Sequence, residues 1–78
     1  MKIEPVRFEG IDDFNRPIFK SIQFRNRFGS VNKLFDYGAT EEEVLKTITE
    51  ADLCYFGTSF NCEPMGDYVD NIKIITSF

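Results

Sequence analysis

The chain has 78 residues, nine Phe, three Tyr, no His and a net charge of −4. A domain of this length buries only about 60–65 % of its unfolded surface, so aromatic rings of roughly 150–250 Å² each have to supply the bulk of the core. Its hydrophobic content of 42 % excludes a disordered tail, and no apolar run approaches the roughly 18 residues that span a bilayer.

Residues 2–9 alternate Val6 and Phe8 with Arg7 and Glu9, the period of two of a half-buried strand. Pro5 confines the start of that strand to an edge or an irregular position. Residues 10–16, GIDDFNR, combine glycine, paired aspartates and asparagine and read as a connection. Pro17 pushes Arg16 towards extended backbone and opens a second strand. On it Ile18, Ile22 and Phe24 take one side and Phe19, Ser21, Gln23 and Arg25 the other. Asn26, between Arg25 and Arg27, predicts a tight turn, after which residues 28–31 return as a short third strand. Residues 31–35 fit either a strand end or one helical turn, closed by Asp36, Tyr37 and Gly38.

The strongest local signal is TEEEVL at 40–45. Thr40 and Glu43 have the spacing of a capping box, with the Glu43 carboxylate reaching back to the Thr40 N–H, and three glutamates suit the positive end of a helix dipole. Val44, Leu45, Ile48 and Ala51 then form a narrow apolar stripe, which predicts an amphipathic helix. Residues 53–56 read best as the frayed end of that helix entering a loop, with a strand as the alternative. Residues 58–71 read as an irregular segment pinned by Phe60, Met65 and Tyr68, and residues 71–78 as a last, central strand, apolar on both faces. The fold class expected is α+β: one domain over residues 1–78, a small antiparallel sheet of three to four strands in the order β-β-(β)-α-β, and one amphipathic helix packed on one face.

Charge divides along the chain. Residues 1–35 carry seven basic and four acidic side chains, a balance of +3, and residues 36–78 carry two basic and nine acidic, a balance of −7. The start, MKIEPVRFEG, has no apolar signal-peptide core, so the expected location is the cytoplasm, with no membrane partner and with Cys54 and Cys62 as free thiols. A disulfide between the two is the alternative.

Chemistry-bearing motifs are sparse. Two Cys at a C-x7-C spacing without His do not make a zinc site, and Asp67, Asp70 and Asn71 do not match a calcium loop. A nucleophilic cysteine lacks its usual histidine partner, and no Gly-rich phosphate loop is present. The expectation is therefore no catalytic residue, no metal and no cofactor, with a small protein-interaction or regulatory module as the function. Its candidate interface residues are Asp12, Asp13, Phe14 and Arg16 in the first connection, Tyr37, and Glu42 and Glu43 on the helix. Phe14 is a large aromatic in a polar loop, so it either plugs into the core or stands out as an anchor. The alternative is a nucleic-acid binder using Lys20, Arg25 and Arg27 around the second hairpin, where arginine beside aromatics can meet phosphate and base. A third reading is an acidic DNA mimic built on Glu41, Glu42, Glu43, Glu50 and Asp52 with Glu63, Asp67 and Asp70. Partner identity and oligomeric state are not encoded in any motif.

The stretches DDFNRPIFK, GSVNKLFDYG followed by TEEEVL, and YFGTSFNCEPMGD make up about half of the chain. In them, and as a whole, the chain resembles short uncharacterised proteins carried by phages and mobile elements of Gram-positive bacteria. The resemblance implies a genomic setting and carries over no functional residue.

Overall fold

The structure, a computed structural model, describes residues 3–57 and 71–76. The expectations placed on Lys2, on Phe60, Cys62, Glu63, Met65, Asp67, Tyr68 and Asp70, and on Phe78 lie outside these residues.

Strand β1 (Glu4–Ile11) runs antiparallel to β2 (Pro17–Ser21), with Val6 opposite Ser21 and Phe8 opposite Phe19. The register then slips, aligning Gly10 with Ile18 and Ile11 with Pro17. One extra residue in β1 makes this a bulge. As a result Phe8 and Ile11, three positions apart, both pack on the core. Gly10 accommodates the bulge at φ +153°, a conformation that side chains with a Cβ rarely adopt.

β2 pairs in turn with β3 (Arg27–Gly29), and β3 with β4 (Cys54–Gly57), both antiparallel, while β5 (Ile72–Ile74) lies parallel to β1. Among the described residues the sheet is therefore mixed and five-stranded, in the order β4-β3-β2-β1-β5. This overturns the expected antiparallel sheet of three to four strands with a helix packed on it. Residues 54–57 form a strand rather than a helix end, because alternation puts Tyr55 with the main core and Cys54 and Phe56 into a second cluster with Ile18. Four residues were too few for that periodicity to be decisive. The last strand lies at an edge rather than in the centre. Its Ile74 N–H donates to the Glu50 carboxylate at 3.2 Å, which occupies a backbone donor that would otherwise invite another strand. The second hairpin also turns earlier than expected: β2 ends at Ser21, residues 22–26 make the turn, and the Ser21 N–H donates to the Asn26 carbonyl at 2.9 Å.

Helix α1 (Glu41–Leu45) has five residues, far short of the amphipathic helix expected. Its cap forms as the spacing implies in one direction, with Thr40 Oγ accepting from the Glu43 N–H at 3.3 Å. The return bond to the Glu43 carboxylate comes from the Thr40 hydroxyl at 3.2 Å rather than from its N–H. The helix stops where Thr47, Ile48 and Thr49 bring three β-branched side chains in succession. Thr49 then starts a separate 3-10 turn (Glu50–Asp52), its N–H donating to the Asp52 carboxylate at 2.9 Å. Of the apolar stripe, Val44 and Ile48 are buried, Leu45 is half-buried and Ala51 is exposed.

The main core joins Val6, Phe19, Phe28 and Ile72 of the sheet to Val44, Ile48 and Leu53 of the covering segment. An edge contact between Phe8 and Phe19 (5.6 Å between ring centroids) and a tilted one between Phe28 and Tyr55 (5.8 Å) extend it across four strands. On the other side of the sheet, Gly29 lies where a Cβ would stand 2.7 Å from the Pro17 carbonyl oxygen and 2.9 Å from the Phe56 ring. Gly29→Ala is expected to destabilise the fold by about 1–3 kcal/mol, because a backbone oxygen cannot yield as a side chain can; urea unfolding measures it.

The Asp52 carboxyl is held below the ordinary value of 3.8, first by the Thr49 N–H, with the Lys33 ammonium 3.1 Å away adding to the effect and partial burial opposing it. A carboxyl with a lowered folded-state pKa contributes stability that is complete above its unfolded value and is lost as pH falls through the folded one. Asp52→Asn is accordingly expected to be less stable than the parent at neutral pH. The gap should close as unfolding is followed downwards from pH 3.8.

Candidate functional site

The connection between β1 and β2 is organised by one carboxylate. Asp12 Oδ1 accepts from the Phe14 N–H at 3.0 Å and from the Arg16 N–H at 2.8 Å, while Oδ2 meets Arg16 Nε at 2.7 Å. The Asp12 N–H donates to the Arg16 carbonyl and the Asn15 N–H to the Asp12 carbonyl, each at 3.0 Å. Asn15 closes the turn in the left-handed region at φ 64°, which asparagine tolerates better than most residues.

This loop is joined to a distant part of the chain. Asn15 Nδ2 donates to the Phe35 carbonyl at 2.8 Å, and the Phe35 N–H donates to the Asn15 carbonyl at 2.9 Å. The reciprocal pair fixes residues 34–37 beside residues 12–16. Around the joint, Phe14 is 71 % exposed, Leu34 58 % and Tyr37 73 %. Single exposed apolar residues are ordinary, but here three large ones lie within two residues of one hydrogen-bonded joint.

Arg16 supports that surface from beneath. Its guanidinium carbon lies 5.0 Å from the Phe14 ring centroid and 4.8 Å from that of buried Phe56. The cation thus stacks on two rings while its charge is balanced by Asp12. Phe14 is exposed and still held in place. The flanking charges are acidic, with Asp13 and Asp36 both exposed.

Of the expected interface residues, Asp12, Asp13, Phe14 and Arg16 lie in this loop, and Tyr37 follows two residues after Phe35, which is hydrogen-bonded to it. Glu42 and Glu43 face solvent on α1, and among the described residues no hydrogen bond or ion pair joins them to it. Leu34 and the Phe35 backbone also adjoin this loop, which nothing local in the sequence announces. Of the carboxylates in the acidic-strip reading, Glu43 bonds Thr40, Glu50 bonds the β5 edge, and Asp52 bonds Thr49 and Lys33, while Glu63, Asp67 and Asp70 lie outside the described residues.

The expected nucleic-acid residues group elsewhere. Lys20 lies opposite Arg7 on one side and opposite Arg27 on the other, and Arg25 is in the following turn. Arg27 Nε pairs with Glu9 at 3.2 Å. Cys54 is a free, buried thiol, pushed upward in pKa by burial and donating to the Gly29 carbonyl at 3.4 Å. Among the described residues no cluster of three or more His, Cys, Asp or Glu side chains is placed to hold a metal, and no helix is long and apolar enough to cross a membrane. No family model, curated protein or solved structure matches the chain.

Removing the Asp12 carboxylate unties two backbone donors and a partly buried guanidinium together. Asp12→Ala is expected to cost about 1–3 kcal/mol in urea unfolding and to speed amide exchange at Phe14 and Arg16.

Proposed function

We propose that this protein is a small, non-catalytic interaction module that binds a protein partner through the corner formed by Phe14, Leu34 and Tyr37. In this reading it acts in the cytoplasm, in the phage or mobile-element setting its sequence suggests. The observation that carries the proposal is Phe14, a ring 71 % exposed to solvent yet braced by Arg16 and by a hydrogen-bonded turn. An aromatic held in its binding geometry loses little conformational freedom on docking, and fixed aromatic side chains are the commonest energetic centres of protein interfaces.

Charge narrows the partner's chemistry. Asp13 and Asp36 flank the apolar groups, so the complementary surface is an apolar pocket rimmed by Lys or Arg. Such a rim accelerates encounter and fixes orientation more than it adds affinity.

The test is photo-crosslinking from benzoylphenylalanine placed at Phe14 and, separately, at Tyr37, in nuclease-treated lysate of the producing cell. The expected result is one protein crosslinked from both positions and not from the same group at Lys73. With that protein purified, Phe14→Ala should weaken binding by at least about 30-fold, the scale of a central anchor. Absence of a common protein, or affinity unchanged by Phe14→Ala, would remove the corner as an interface.

A further inference from the structure

We infer that the protein also carries a site for single-stranded nucleic acid, on the sheet face turned away from the main core and on the adjoining turn at residues 22–26. Strand register builds it. Arg7 stands opposite Lys20 and Lys20 opposite Arg27, so three cations form a row across β1, β2 and β3. Residues directly opposite in a sheet share a face, and strands lie about 4.8 Å apart, so the row extends over about 10 Å. Lys73 of β5, opposite Pro5, continues the same side.

Beside the row is an open concavity of about 560 Å³, lined by Arg7, Lys20, Gln23, Phe24 and Arg25 among others. Phe24 is 54 % exposed, offering a ring face to an unstacked base, and exposed Gln23 offers an amide to a base edge. Glu9 also lines this space, and its carboxylate is the one that pairs with Arg27. Counting Arg7, Lys20, Arg25 and Arg27 against Glu9, the local balance is +3.

The net charge of −4 does not oppose this, because among the described residues six acidic groups lie on the segment that covers the opposite face. The segment from Phe35 to Leu53 covers the core face of the sheet, and it carries Asp36, Glu41, Glu42, Glu43, Glu50 and Asp52 against one cation, Lys46. Single strands suit the site better than a duplex, since a ring on a sheet surface needs a base out of its stack and the described residues hold no long helix to enter a groove. A concavity with polar Ser21 and Gln23 in its lining also suits phosphate and base better than it suits a lipid surface.

The site is tested with the full chain and labelled oligo-dT and oligo-U of about fifteen nucleotides, a duplex of equal length, and vesicles rich in phosphatidylserine, by anisotropy and flotation. Single strands are expected to bind more tightly than the duplex. Three phosphate contacts should give a salt slope of about −2, a loss of about 20-fold between about 50 and about 200 mM salt. Replacing Lys20 and Arg25 together by Ala should flatten that slope by about 1.4, and Phe24→Ala should weaken binding about tenfold with the slope unchanged. Phe14→Ala should leave binding intact, which separates this site from the protein-binding corner. Lack of oligonucleotide binding at about 50 mM salt, preference for duplex, or binding unaltered in the Lys20/Arg25 variant would overturn the assignment. Vesicle binding without oligonucleotide binding would overturn it in favour of a membrane surface.

Discussion

The fold depends on the middle strand being apolar on both faces. Ile18 and Phe19 are neighbours on β2, so they point in opposite directions, and both are buried. Phe19 enters the main core with Val6, Phe28 and the covering segment, whereas Ile18 joins Cys54 and Phe56 on the reverse side. Fully burying such side chains contributes about 1.5–3 kcal/mol each, and a short chain has few other sources. Gly29 on the next strand completes the arrangement by leaving room for the Phe56 ring against the sheet. Two thin clusters on one central strand replace the single deep core that a larger domain would have.

What the sequence revealed and what it concealed differ by the range of the interaction involved. The Val6 and Phe8 alternation and the Thr40 cap are set by near neighbours and were legible, whereas the connection expected to begin at Gly10 begins only after Ile11, because the bulge carries β1 two residues further. Strand β4 was not legible, because what makes residues 54–57 a strand is pairing with β3, some 25 residues away in the chain. The parallel partnership of β1 and β5 is longer in range still, and no periodicity in either strand announces its partner. The apolar stripe after Thr40 misled in a specific way. It correctly marked Val44 and Ile48 as core, but buried positions four apart are served equally well by one helical turn followed by a 3-10 turn, and the β-branched run favoured the interruption. The candidate corner is half legible: Phe14 and Tyr37 stand out as large aromatics among polar residues, while the Asn15 and Phe35 pairing that joins their two segments has no sequence signature.

Folding also converts a linear charge asymmetry into a spatial one. The basic first half supplies the cross-strand row of Arg7, Lys20 and Arg27, and much of the acidic second half lies over the opposite face. Segregation of this kind gives the molecule a direction in an electric field, so an approaching polyanion or polycation meets different sides. The aromatic corner belongs to neither side fully: its own cation, Arg16, is neutralised by Asp12, and its rim carries Asp13 and Asp36.

Arg16 has a consequence beyond holding Phe14. One face of its chemistry is at the surface and the other rests on Phe56, which is fully buried in the second cluster. Immobilising Phe14 would therefore also restrict the ring below, and a fluctuation that loosens Phe56 would loosen the support of Phe14. By thermodynamic reciprocity the two events share one coupling free energy. Because Phe56 clusters with Ile18 and Cys54, Arg16 joins the exposed loop to the small core on the reverse side of the sheet, and a change in the mobility of Phe14 would be felt at the Cys54 thiol.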